Sequence, residues 1–185
     1  MPKAGGVILA CNHVSFLDPP LLGAACPRRI NFMARASLFK QPILGWYLRR
    51  VEAISLLREQ ADLPAIRESI TRLRRGEVVA IFPEGGRQLT GQLGTAKRGV
   101  GVLAISAQVP VVPVYVHGTF AAWPPNARWP KPTKIRVAFG PMISYTTGSA
   151  QRIQGRASRL SQAQLADAVT HQWRRLEEQL HDRTS

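Results

Sequence analysis

Two short stretches hold the side chains able to do chemistry. The first is Asn12-His13-Val14-Ser15-Phe16-Leu17-Asp18. A histidine and an aspartate in one loop make a general-base pair when the carboxylate accepts the Nδ1 proton. That contact sets the tautomer, leaves Nε2 as a base and stabilises the imidazolium formed later. Five positions on a straight helix stand about 140° apart, and on a strand they face opposite sides, so the chain must turn between the two residues. Such a pair suits removal of a proton from a substrate hydroxyl. The plainer alternative is an Asp18 that caps a helix beside an ordinary loop histidine. Ser15 is a weaker candidate nucleophile, because it lacks the Gly-x-Ser-x-Gly elbow. The second stretch is Phe82-Pro83-Glu84-Gly85-Gly86-Arg87. Two glycines let a backbone approach a ligand and offer it amide donors, and Arg87 brings a planar fork suited to phosphate. A tight turn with a solvated charge pair is the plainer alternative here. The stretch is neither a Walker A loop nor a dinucleotide fingerprint.

Both stretches follow apolar runs that read as buried strands, Gly6–Cys11 and Val78–Phe82. Neither run alternates, as expected where both faces of a parallel sheet are covered. Further strands are expected at Ile30–Ala34, Ala53–Leu57, Val109–Val116 and Lys134–Phe139. Between them lie helical segments. One starts at Asp18 with Pro19 in its first turn. One spans Ser37–Arg50, disturbed by Pro42 and Gly45. A third runs from Asp62 to Arg75 with Ile66, Ile70 and Leu73 on one face, closed by Gly76. A fourth, of small residues, covers Gly99–Gln108. After a basic connector over Gly148–Arg159, a helix from Ser161 to His181 opens with a Ser161/Gln164 capping box and buries Leu165, Val169, Trp173, Leu176 and Leu180. Alternating strands and helices indicate an α/β fold: a single layered domain, with a largely parallel sheet flanked by helices and ligand loops at the strand carboxyl ends.

Taken together and in order, these stretches resemble the glycerol-phosphate and lysophospholipid acyltransferase family. Its first motif is matched by Asn12, His13, Ser15 and Asp18, and its third by Phe82, Pro83, Glu84, Gly85 and Arg87. The second region is matched by Arg35, Pro42, Gly45 and Arg58, and the fourth by Val109-Pro110-Val111-Val112-Pro113-Val114. Gly86 stands where the family has Thr, Gln88 where it has Ser, and Arg35 where Lys is common. The resemblance implies transfer of a fatty acyl group from a thioester to the hydroxyl of a lysophospholipid, 1-acyl-glycerol-3-phosphate by default. In that reading His13 and Asp18 are catalytic. Arg35, Arg58, Glu84, Gly85, Gly86 and Arg87 hold the phosphate, with Asn12 and Ser15 in support. No metal, cofactor or acyl-enzyme is expected. Acyl-CoA or an acyl carrier protein brings the donor. Residues 1–147 would form the catalytic domain, and 148–185 a connector and helix packed on it. Only twelve residues precede His13, so a missing upstream segment is expected.

The chain has 185 residues, 45% of them hydrophobic, which excludes bulk disorder. Its formal net charge is +14. Of the 25 basic residues only Lys3, Lys40, Lys97, Lys131 and Lys134 are lysines. Such an excess calls for a polyanionic partner: nucleic acid, phosphorylated metabolites or anionic lipid. A nucleic-acid-binding module is the first rival reading, though no RRM or KH signature is present and the aromatics do not interleave with the basic runs. An inactive, truncated relative and a thioester hydrolase are the others. Trp46 and Tyr47, followed by Arg49 and Arg50, suit either a membrane interface or a core helix with a basic end. Arg28, Arg29, Arg72, Arg74, Arg75, Arg152, Arg156 and Arg159 are scattered and suit either an anionic leaflet or, more plainly, solvated helix ends; a peripheral place on the cytoplasmic face of a membrane is expected. Cys11 and Cys26 have neither metal-site nor disulfide spacing.

Overall fold

A computed structural model describes residues 1–57, 62–144 and 160–182, together with the backbone of 152–153 and 156–157. The sheet has six strands in the order β3-β2-β4-β1-β5-β6. These are β1 (Val7–Cys11), β2 (Ile30–Arg35), β3 (Ile54–Leu56), β4 (Val78–Ile81), β5 (Val111–His117) and β6 (Arg136–Phe139). All neighbours pair in parallel except β6, which runs antiparallel to β5. The α/β architecture expected from the alternation is therefore present. In the central β1 and β4 every residue is buried, which explains their unbroken apolar runs.

The two faces are covered by different helices. Val7, Leu9 and Cys11 of β1 pack with Leu22 of α1 (Asp18–Ala25). Ile8 and Ala10 face the opposite layer, formed by α3 (Leu63–Arg74), α4 (Gly99–Ala107) and the C-terminal helix. Adjacent strands β1 and β4 thus send their connections to opposite faces. In an open sheet that opens a crevice at their carboxyl ends, where ligands bind.

Local details follow from residue type. Asp62 caps α3 by accepting from the Ala65 amide at 3.2 Å. The expected single helix over Ser37–Arg50 is broken at Gln41-Pro42 into a 3-10 turn (Ala36–Lys40) and α2 (Pro42–Arg50). Proline can open a helix but cannot continue one. Gly45 lets α2 lie against the Phe39 carbonyl, where a Cβ would collide. A short α5 (Thr119–Ala122), not foreseen, follows β5. In the basic connector, Arg152–Ile153 (β7) and Arg156–Ala157 (β8) pair antiparallel, and its other residues lie outside the described ones.

The C-terminal helix α6 (Gln162–Asp182) opens on the expected capping box: Ser161 N donates to Gln164 Oε1 at 2.8 Å and Gln164 N to Ser161 Oγ at 3.2 Å. Its five expected apolar residues are all buried. Trp173 is fully buried, and its indole N–H donates to the Ala10 carbonyl at 2.9 Å, immediately before the first functional loop. Tyr115 fastens the same helix to β5 through its hydroxyl, 2.6 Å from Glu177 Oε1. Trp173→Phe keeps an apolar ring but deletes the indole donor to the Ala10 carbonyl and leaves part of the buried indole's space unfilled. The expected loss is about 1–3 kcal/mol in chemical denaturation.

Candidate functional site

The loop after β1 is built around one carboxylate. Asp18 Oδ2 lies 2.8 Å from His13 Nδ1 and accepts from the Val14 amide at 2.7 Å and from the Ser15 amide at 2.8 Å. Asp18 is fully buried while the His13 side chain keeps 17% exposure. Asp18 does not cap α1, as one reading of the sequence had it. Leu17 is the cap residue, and Asp18 is the first residue of the helix with its side chain turned back over the loop. The amino-terminal end of a helix favours an anion there.

Asn12 and Ser15 hold this loop in place. The Asn12 side chain donates to the Val116 carbonyl at 3.2 Å and accepts from the Val116 amide at 2.7 Å, continuing the β1–β5 pairing by side chain. Ser15 Oγ donates to the Trp123 carbonyl at 2.9 Å and accepts from the Leu17 amide at 3.3 Å. Its hydroxyl is engaged by backbone, which argues against a nucleophile.

The loop after β4 is stitched to the first. The His13 amide donates to Glu84 Oε2 at 3.3 Å, and the His13 carbonyl accepts from the Gln88 amide at 2.8 Å. The Phe82 ring stacks on the imidazole, 4.2 Å between centroids. Gly85 turns the chain with φ +81, a conformation that favours glycine. Arg87 does not extend into open solvent. Its guanidinium carbon lies 3.5 Å from the centre of the Phe16 ring, a cation–π contact. Among the described residues nothing hydrogen-bonds its buried Nη1. Arg35, at the end of β2, reaches this loop: its Nη2 is 3.9 Å from where a Cβ on Gly86 would stand. Arg58 lies outside the described residues. Three residues of the site were not foreseen in these roles from the sequence: Phe82 as the ring behind His13, Trp123 as the anchor of Ser15, and Lys97, whose ammonium lies over Gly85. Lys97 follows a polar loop, and nothing local distinguishes it from a solvated lysine. Among the described residues no set of three His, Cys, Asp or Glu side chains converges as metal ligands.

At this point the comparisons with known proteins bear on the site. The family model described as "Acyltransferase" matches residues 1–117, which contain both loops. The chain belongs to this acyltransferase family. It is similar to a 1-acyl-sn-glycerol-3-phosphate acyltransferase of Bacillus subtilis, 33% identical over 119 residues, covering 64% of this chain and 59% of that protein. An enzyme of the same description from Pseudomonas aeruginosa is 31% identical over 145 residues, covering 76% of this chain and 55% of the relative. A lyso-ornithine lipid O-acyltransferase of the same organism is 32% identical over 111 residues, 60% of this chain and 42% of the relative. The crystal structure of the 1-acyl-sn-glycerophosphate acyltransferase PlsC from Thermotoga maritima superposes with a TM-score of 0.77 at 27% identity, covering 96% of this chain and 67% of that one. The chain thus spans a little over half the length of the Bacillus and Pseudomonas phosphate-lipid enzymes.

Away from these contacts, α2 exposes an apolar face. Gly45 and Leu48 are buried, but Ile43 is 84% exposed and Trp46 64%. Among the described residues α2 is therefore a surface helix, with this face uncovered. Of the arginines that suited a leaflet, Arg74 donates to the Ser106 carbonyl at 2.8 Å, Arg29 pairs with Glu52 at 3.0 Å, and two more are used internally. Arg28 donates to the carbonyls of Pro2, Gly5 and Gly76, and Arg72 to Asn31, Glu52 and Glu68. No helix among the described residues is long and apolar enough to cross a membrane.

Burial pushes the Glu84 carboxyl up to about 7; the His13 and Gly94 amides and the Gln88 side chain oppose the shift, and the Asp18 charge adds to it. A carboxyl that holds its proton more tightly when folded stabilises the fold at low pH. That contribution is present in full below the ordinary value of 4.5 and is lost as pH rises through about 7. Glu84→Gln is expected to remove roughly 1–3 kcal/mol of the wild type's stability loss between about pH 5 and about pH 8. Denaturation curves across that window check it, and parallel slopes for the two proteins would count against it.

Proposed function

We propose that this protein transfers a fatty acyl group from an acyl thioester to the free hydroxyl of 1-acyl-glycerol-3-phosphate, giving phosphatidic acid. The observation that carries this is the 2.8 Å contact between His13 Nδ1 and Asp18 Oδ2, on a ring still partly open to solvent. With the Nδ1 proton on the aspartate side, Nε2 is free to accept the acceptor's hydroxyl proton. The oxygen then attacks the thioester carbonyl carbon. As the tetrahedral adduct collapses, the C–S bond breaks and the thiolate takes the proton back from His13. No protein nucleophile enters the sequence, in keeping with the backbone-bonded Ser15 hydroxyl. Arg35, Arg58 and Arg87, with the amides of Gly85 and Gly86, hold the phosphate. Glu84 shapes that loop through its bond to the His13 amide. Holding the phosphate brings the hydroxyl to His13, and such positioning contributes several kcal/mol of barrier lowering, roughly. Acyl-CoA and acyl carrier protein are both suitable donors. Similarity to a lyso-ornithine lipid enzyme supports a second acceptor class to be assayed alongside.

The protein works in this reading as a peripheral enzyme on the anionic, cytoplasmic face of a membrane. Trp46, Tyr47 and Ile43 on α2 suit the interface, and Lys40, Arg49 and Arg50 beside them suit acidic lipid.

His13→Ala is expected to lower acyl transfer at least about 10²-fold in a protein that still folds, with a stability loss of about 1–3 kcal/mol because buried Asp18 loses a partner. Retained transfer would remove the base from the account. Protein incubated with acyl-CoA alone is expected to show no acylated mass by mass spectrometry. Replacing Ile43 and Trp46 together by Glu should weaken sedimentation with phosphatidylglycerol vesicles at least about tenfold, since both apolar burial and charge attraction are lost.

A further inference from the structure

The loop after β4 has a cation that no motif assigns. Lys97 Nζ lies 2.7 Å from where a Cβ on Gly85 would stand, and its Cε and Cδ follow at 3.3 and 3.4 Å. The space above this glycine is thus taken by an ammonium rather than by a side chain of the loop. Lys97 is tied to the loop by its backbone, whose amide donates to the Pro83 carbonyl at 2.8 Å. Its side chain is exposed, and among the described residues no carboxylate pairs with it. The adjacent Glu84 does not neutralise it: that carboxyl is buried and turned toward the His13 amide. The Arg35 guanidinium stands near the second glycine, its Nη2 3.9 Å from where a Cβ on Gly86 would be. Arg87, whose Nη1 is buried without a partner, belongs to the same loop. An exposed turn with a cation close to each of its two glycines is complementary to a small, multiply charged anion.

We propose that Lys97 binds the acceptor's phosphomonoester and makes the site prefer a doubly charged headgroup over a phosphodiester or zwitterionic one. This deepens the acyltransferase reading and rests on it for the identity of the acceptor. A phosphomonoester carries between about −1.5 and −2 charges at neutral pH. A second cation beside Arg35 therefore gains most from that headgroup and least from a singly charged one. Lys97 touches the group that positions the hydroxyl, not the reacting atoms, so its loss should appear in acceptor binding rather than in turnover.

The test compares wild type, Lys97→Gln and Lys97→Arg as purified full chains. Glycerol 3-phosphate binding is measured by calorimetry, and KM for 1-acyl-glycerol-3-phosphate and for acyl-CoA is measured separately. Lys97→Gln should weaken glycerol 3-phosphate binding and raise the acceptor KM by about tenfold each, the loss of one charged hydrogen bond. The acyl-CoA KM and kcat should stay within about twofold, and Lys97→Arg should recover most of the affinity because the charge is kept. Unchanged binding and acceptor KM in Lys97→Gln, or a loss that falls on acyl-CoA instead, overturns the proposal. A wild type that binds no glycerol 3-phosphate and transfers no acyl group overturns it together with the acyltransferase reading. Lys97-dependent glycerol 3-phosphate binding without acyl transfer upholds the phosphate site and overturns that reading alone.

Discussion

One buried carboxylate organises the functional end of this protein. Asp18 has no exposed surface, and desolvating an ionised carboxylate costs several kcal/mol, roughly, unless donors replace the lost water. From within five residues of chain the amides of Val14 and Ser15 donate to Oδ2 and the His13 imidazole lies against it, while Oδ1 is buried with no partner among the described residues. The loop therefore cannot open without stranding a charge. The same requirement that closes the loop orients the histidine ring. In the proposed mechanism structure and chemistry share one set of hydrogen bonds, so substitutions at Asp18 are expected to act on stability and on the proposed base together.

The second loop depends on the first through the sheet. β1 and β4 are neighbours, with Val7 opposite Val78 and Ala10 opposite Ile81, so the chain leaves both strands at the same height. His13 then bonds the second loop through its amide, its carbonyl and its stacked ring. Trp173 on the last helix bonds Ala10, one residue of strand away from the turn into this loop. The far C-terminal helix thus supports the site by holding the strand that carries it. The net charge of +14 divides accordingly. Some arginines, Arg28 and Arg72 among them, satisfy backbone carbonyls and tie loops together. Others, with Lys97, face the glycine turn or the exposed apolar helix.

Much of this was legible in the sequence because local rules and tertiary demands agree. β1 and β4 are unbroken apolar runs and became central parallel strands. Ser161 and Gln164 spelled a helix start, and Trp173 sat on the apolar stripe of that helix. The failures have a common physical cause: they depend on contacts distant in sequence. The antiparallel direction of β6, which a largely parallel sheet left open, is decided by its pairing with β5, not by its residues. Asp18 looks like a helix cap because Asp before Pro is a common start, yet its side chain is claimed by the loop behind it. Whether Trp46 was core or surface could not be read from helical spacing, since it depends on what packs against α2. Lys97 and Phe82 reach the site only once β4 and α4 are placed side by side with β1.

The central claim is that Asp18 holds His13 as the tautomer with its proton on Nδ1 and its free lone pair on Nε2. Nitrogen NMR of the chain labelled with 15N-histidine, at a pH where the ring is neutral, reads this directly. The account predicts a His13 Nδ1 resonance in the protonated, pyrrole-like range with a proton shared toward Asp18, and an Nε2 resonance in the unprotonated, pyridine-like range. Asp18→Asn should abolish that preference. A wild-type His13 with the proton on Nε2, or a tautomer mixture unaffected by Asp18→Asn, would contradict it.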